Sequence, residues 1–181
     1  AAFPDWHPRH FLDCAELCLA FAFSSDGLYD YLSEDIKAEM RTCLIEKGFK
    51  RVMEEYTNAP IHADCIEPER GYRWYQDKPG DNWKFVSNGG VGSAVLAIFD
   101  EDDVDSEMCA RILAFGFADS YKAVRDMYMP DGSYTEGFTY WVYASNYLAY
   151  FVSALMTSAG SDYGLTDYEP VRKSAYYVKY M

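Results

Sequence analysis

Two kinds of helical segment take turns along this chain, and that alternation limits the folds open to it more than any other feature. The stretch HFLDCAELCLAFAFSSDGLYDYL sets Phe11, Cys14, Ala15, Cys18, Leu19 and Ala22 at helical spacings and is apolar almost all round beyond Glu16. Such a helix belongs in an interior. The next stretch, SEDIKAEMRTCLIEKGFKRVMEEYT, offers Ser33 as an N-cap, acids in its first turn, and Ile36, Met40, Leu44 and Val52 along one face. It predicts a long amphipathic helix with a charged outer side.

The pattern continues. A small-residue helix is expected from near Ser87 or Asn88 in NWKFVSNGGVGSAVLAIF, and an amphipathic one follows in DSEMCARILAFGFADSYKAVRDMY, capped by Asp105 or Ser106. A turn at Pro130-Asp131-Gly132-Ser133 precedes a long helix over 137–159, and a last short helix covers about 168–179. Residues 58–81, rich in proline and without a sustained period, are expected to form one long loop. Strand signals are weak. The chain therefore reads as a single all-α domain over 1–181, built of antiparallel helical hairpins that pair inner with outer helices, as an α/α toroid or α-solenoid requires. No fixed-period repeat points to the common solenoid families.

A net charge of −13 argues against nucleic acid and anionic membranes as partners, since phosphate-binding surfaces are normally basic. No apolar stretch is long enough to span a bilayer. Five scattered cysteines without a C-x-x-C pair suggest neither a disulfide framework nor a zinc site, and Cys14 and Cys18, one turn apart among apolar residues, read as core. That usage suits a reducing compartment or shielded thiols, and leaves bacterial cytoplasm and periplasm both open. A start without methionine or leader is expected of a piece of something longer.

Several stretches could carry chemistry. Asn88-Gly89-Gly90 could cap a helix while its glycines let another group approach the backbone. Trp83 could stack on a flat ligand or plug the core. Glu136 could complement a helix dipole. Tyr140, Tyr143 and Tyr147 share a helix face, with Trp141 pointing elsewhere. Tyrosine makes up 17 of the residues, and its flat apolar body with a polar tip suits wet binding surfaces as well as half-buried packing. His7, His10 and His62 are not expected to form a metal set, and no cofactor motif is present.

In order, the stretches PDWHPRHFLDCAELCLAFAFSSDGLYDYLS, NWKFVSNGG, PDGSYTEGFTYWVYASNYL and SAGSDYGLTDYEPVRKSAYY resemble, over nearly the whole chain, the helical domain of heparinase II/III-like polysaccharide lyases. The resemblance implies part of an incomplete α/α toroid, a following β-sandwich domain that closes the cleft, and β-elimination on an acidic polysaccharide. In that chemistry a uronate carboxylate is neutralised, its α-proton is abstracted and the bond at C4 breaks.

Carried across by resemblance, Asn88 becomes the carboxylate donor, with Gly89 where the family has histidine. Tyr143, with Tyr140 as its competitor, becomes the acid/base, and Trp83 and Glu136 become cleft residues. Arg73, Trp74 and Trp141 complete the candidate substrate-binding set. Arg70, Arg73 and Lys84 are the basic cluster near this groove, thin for a sulfated glycan, so a less sulfated uronate polymer is expected. The alternatives are a toroid-type glycoside hydrolase using Asp131 and Glu136, and a non-catalytic helical carbohydrate-binding or scaffold module.

Overall fold

The computed structural model describes residues 3–57, 73–75 and 80–180. Within them the regular secondary structure is helical, apart from one isolated β-bridge between Tyr128 and Tyr134. The helices are α1 (Phe11–Gly27), α2 (Glu34–Cys43), α3 (Lys50–Tyr56), α4 (Asn82–Ile98), α5 (Ser106–Met127), α6 (Phe138–Ala159) and α7 (Glu169–Lys173). A π-helical turn, Leu44–Phe49, joins α2 to α3 without interrupting the helix. The long connection expected over 58–81 lies mostly outside the described residues.

The inner helices are α1, α4 and α6, and all three run the same way. His10 and Ala15 of the first meet Trp83 and Gly90 of the second, and Glu136, Tyr147 and Phe151 meet Asn82, Gly89 and Gly92 in ascending order. Outer α5 runs against α4: Lys84 and Asn88, early in α4, reach Asp119, late in α5. Helices α4 and α5 thus form an antiparallel hairpin. Along α1 the buried residues are Phe11, Cys14, Ala15, Cys18, Leu19 and Ala22, the set its periodicity predicts.

Glycine lets the inner helices come this close. A Cβ on Gly89 would stand 2.6 Å from the carbonyl oxygen of Tyr147, and one on Gly90 would collide with the carbonyl of Ala15. Backbone lies against backbone on both sides of α4. Gly89 therefore occupies a packing position that no histidine could fill.

Caps set the ends of the helices. Ser33 accepts from the Ile36 amide at the start of α2, and Asp105 accepts from the amides of Glu107 and Met108 at the start of α5. Helix α4 differs from expectation, because it begins at Asn82 rather than near Asn88. Its first turn is capped from a distance: the Glu136 carboxylate accepts from the backbone amide of Asn82 at 2.8 Å and from its side-chain amide at 3.1 Å. The amphipathic stretch differs as well. Its π turn shifts the helical face, so that Leu44, Gly48, Phe49 and Val52 are buried while Ile36 is exposed.

Substitution of Gly90 by alanine is expected to destabilise the protein by about 2 kcal/mol or more, because the methyl group meets backbone that cannot give way. Gly27→Ala, with nothing within 4 Å of the added carbon, should change stability by about 1 kcal/mol or less. Urea denaturation of the two variants checks the contrast.

Candidate functional site

Two polar assemblies lie at the end of the molecule where α1, α4 and α6 begin. The first is sealed in the core. Lys84 Nζ pairs with Asp119 Oδ1 at 2.8 Å and donates to the Tyr75 carbonyl, while Asp119 Oδ2 accepts from Asn88 Nδ2 at 2.8 Å. Tyr56 donates to the remaining Asn88 oxygen at 2.7 Å. Burial, followed by the Asp119 charge, pushes the Tyr56 hydroxyl well above its ordinary pKa and keeps it a donor.

Beside this network Arg73 Nε pairs with Glu55 at 3.1 Å, and Glu55 also accepts from the Tyr75 amide. Trp74 is wholly buried against Phe11 and Tyr56. The sequence reading assigns Asn88 to a substrate carboxylate and Arg73 and Trp74 to a groove. The structure instead places all three inside, where Asn88 is 1% exposed and both ends of its amide are already engaged. Lys84 is equally enclosed.

The second assembly lies at the rim. His7 Nδ1 stands 2.6 Å from Asp13 Oδ2, and His10 Nδ1 stands 3.3 Å from Asp13 Oδ1, so that one carboxylate holds both imidazoles. The two rings stack at 5.8 Å, and the His10 ring meets the half-buried Trp83 edge-on at 4.8 Å. His7 has φ +54, a left-handed conformation uncommon outside glycine, asparagine, aspartate and histidine, and its amide donates to Asp5. One turn further along α1, Glu16 accepts a 2.5 Å hydrogen bond from Tyr143. Burial, and after it the Glu16 hydrogen bond and charge, hold the Tyr143 hydroxyl far above its usual range.

From Tyr143 an aromatic file follows the seam between α1 and α6. It passes through Tyr147 at 5.4 Å and Tyr150 at 5.9 Å to Phe23 at 5.3 Å. There it opens into a groove of about 240 Å³ lined by Ala22, Phe23, Ser93, Tyr150, Ser153 and Thr157, among others. Tyr140 is half exposed at the start of α6. Trp141, also half buried, turns away and packs on Phe138 and Tyr177. Glu136 serves the cap of α4.

Asp131 accepts from both the amide and the hydroxyl of Ser133, bonds that hold its carboxyl below the usual range. A hydrolase acid must keep its proton near neutral pH, and this environment removes it. The rim thus gathers Trp83, Tyr143 and Tyr140 from the expected set, together with His7, His10, Asp13 and Glu16, which sequence reasoning did not select. These four recur at every third position across the start of α1. That spacing was the available signal.

Comparison of the sequence with family models and with curated proteins finds no match.

Removing either partner of the buried Lys84–Asp119 pair leaves an uncompensated charge in the core. Asp119→Ala and Lys84→Met should therefore each cost about 3–5 kcal/mol, and the double variant less than the sum of the two. Denaturation of the three variants measures this. In a second test, Glu16→Gln removes a charge that raises the Tyr143 pKa. Tyrosinate absorbance followed through an alkaline titration should then show Tyr143 ionising at lower pH than in the parent.

Proposed function

We propose that this chain is a helical domain of a polysaccharide lyase, an arc of an α/α toroid that acts on uronic-acid-containing glycans by β-elimination. The observation that carries the reading is the tyrosine-lined seam that leads from Trp83 and the Tyr143–Glu16 pair toward the groove at Phe23 and Tyr150. Half-buried Tyr143 and exposed Tyr150, on either side of buried Tyr147, offer aromatic surface suited to sugar rings, and their hydroxyl tips suit sugar hydroxyls. The parallel run of α1, α4 and α6, each pair joined by outer helices, supports the toroid arc.

Within that reading Tyr143 is the proton donor to the departing O4, and the base that takes the C5 proton is assigned to the β-sandwich domain of the parent chain. The Tyr143 hydroxyl is kept protonated by burial and by the neighbouring carboxylate, so it can deliver a proton to the departing O4 oxygen at neutral and mildly alkaline pH. Asn88, engaged inside the core, acts by holding α4 to α5 rather than by touching substrate. Trp83 forms one wall of the cleft and Tyr140 its outer lip.

Arg73 and Lys84 are both taken up in buried ion pairs. A densely sulfated glycan would find few cations here, which favours a uronate polymer of lower sulfation. The remaining wall of the cleft is assigned to a β-sandwich domain of the parent chain.

The test is incubation of the full-length parent, and separately of this chain, with a panel of uronate polysaccharides while the ultraviolet absorbance of a 4,5-unsaturated uronate is followed; the rise is expected of the parent. Tyr143→Phe should slow that rise by about 10²-fold or more. Release of new reducing ends without that absorbance would replace elimination by hydrolysis.

A further inference from the structure

We propose that His7, His10 and Asp13 form a binding site for a borderline divalent metal ion of the zinc, cobalt or nickel type. Each of these residues offers one ligand atom, and the three atoms lie within 4.8 Å of one another; among the described residues they are the set that meets this condition. Around a tetrahedral zinc with bonds of about 2.0–2.1 Å, neighbouring donors stand about 3.3 Å apart. The Nδ1–Oδ separations of 2.6 and 3.3 Å, each to a different oxygen of Asp13, bracket that spacing, and a bound ion would draw in the rest of a set that spreads to 4.8 Å.

Two imidazoles and one carboxylate select zinc-like ions over magnesium or calcium, which prefer oxygen donors throughout. Three protein ligands also leave coordination positions open. The surroundings fix these donors. His10 is held edge-on against Trp83, His7 stacks on His10, and Asp13, in the first turn of α1, is hydrogen-bonded to both rings. Glu16 lies one turn further along α1, in a chain of net charge −13. These carboxylates offset the positive end of the helix, which by itself would oppose a cation.

Acidic side chains at the rim pose a problem for an anionic sugar, and a bound cation resolves it. An open coordination position would accept a carboxylate and spread its charge, the role that neither Asn88 nor a histidine at position 89 can fill in this fold. This further step rests on the lyase reading; the binding of metal does not.

The test is calorimetric titration of the folded chain with Zn²⁺, paired with visible absorption of the Co²⁺ adduct. One equivalent should bind, and the Co²⁺ spectrum should be of nitrogen and oxygen ligation without thiolate charge transfer. His7→Ala and His10→Ala change exposed side chains and should leave circular dichroism unaltered. Each should weaken binding by at least the roughly 10–100-fold that follows loss of a mere supporting partner.

Binding that survives the double variant, a thiolate band, or no saturable binding at all would each overturn the site. Metal held tightly with no unsaturated product from any glycan would uphold the site and sink the lyase reading. Unsaturated product without metal binding would do the reverse.

Discussion

The rest of the structure depends on the contact of α4 with both of its inner neighbours at backbone range. Gly89 against Tyr147 and Gly90 against Ala15 bring three parallel helices together with no side chain between them. Their registers are thereby locked, and their first turns end at one level. His10, Trp83 and Tyr143 become neighbours for that reason, although they are drawn from three distant parts of the chain. A bulkier α4 would spread α1 from α6, and the bridges between them, Glu16 to Tyr143 and Phe23 to Tyr150, would part.

A second constraint follows from the first. Close packing leaves α4 buried on nearly every side, yet it carries Lys84 and Asn88 inward. Neither could remain there alone, since an unpaired buried charge or amide costs several kcal/mol. Asp119 answers both, and Tyr56 completes the set, so α3, α4 and α5 are joined by one network with directional geometry. Apolar packing specifies that helices meet; a network of this kind specifies at what rotation.

How much of this was legible depended on where the determining groups lay. The buried face of α1, the caps at Ser33 and Asp105 and the extent of α6 rest on residues close in sequence, and local pattern was enough to find them. The start of α4 was not, because the group that caps it is Glu136, from the far side of two helices. Trp74 and Arg73, from a stretch without period, gave no sign that they were core. The rim set was missed for a related reason: histidines were weighed against one another, while the residue that unites His7 with His10 is an aspartate in the following helix. The tyrosine face of α6 was legible as a face, but only a partner on α1, Glu16, distinguishes Tyr143 from its competitor Tyr140.

The reach of Glu136 to Asn82 carries a consequence for how the domain acquires its shape. The first turn of α4 cannot be satisfied until the turn at 129–137 has arrived, and Gly137, at φ +84, lets the chain pass from that turn into α6. Order at the mouth of the seam is thus a collective property that depends on closing the loop between Asn82 and Glu136. In amide hydrogen exchange the Asn82 amide and the 129–137 turn would open as one unit, at a lower free energy than the glycine-packed middle of α4. The same strut that completes the mouth ties its order to a single long-range contact, and a ligand that displaced Glu136 from Asn82 would reshape both sides of the seam at once.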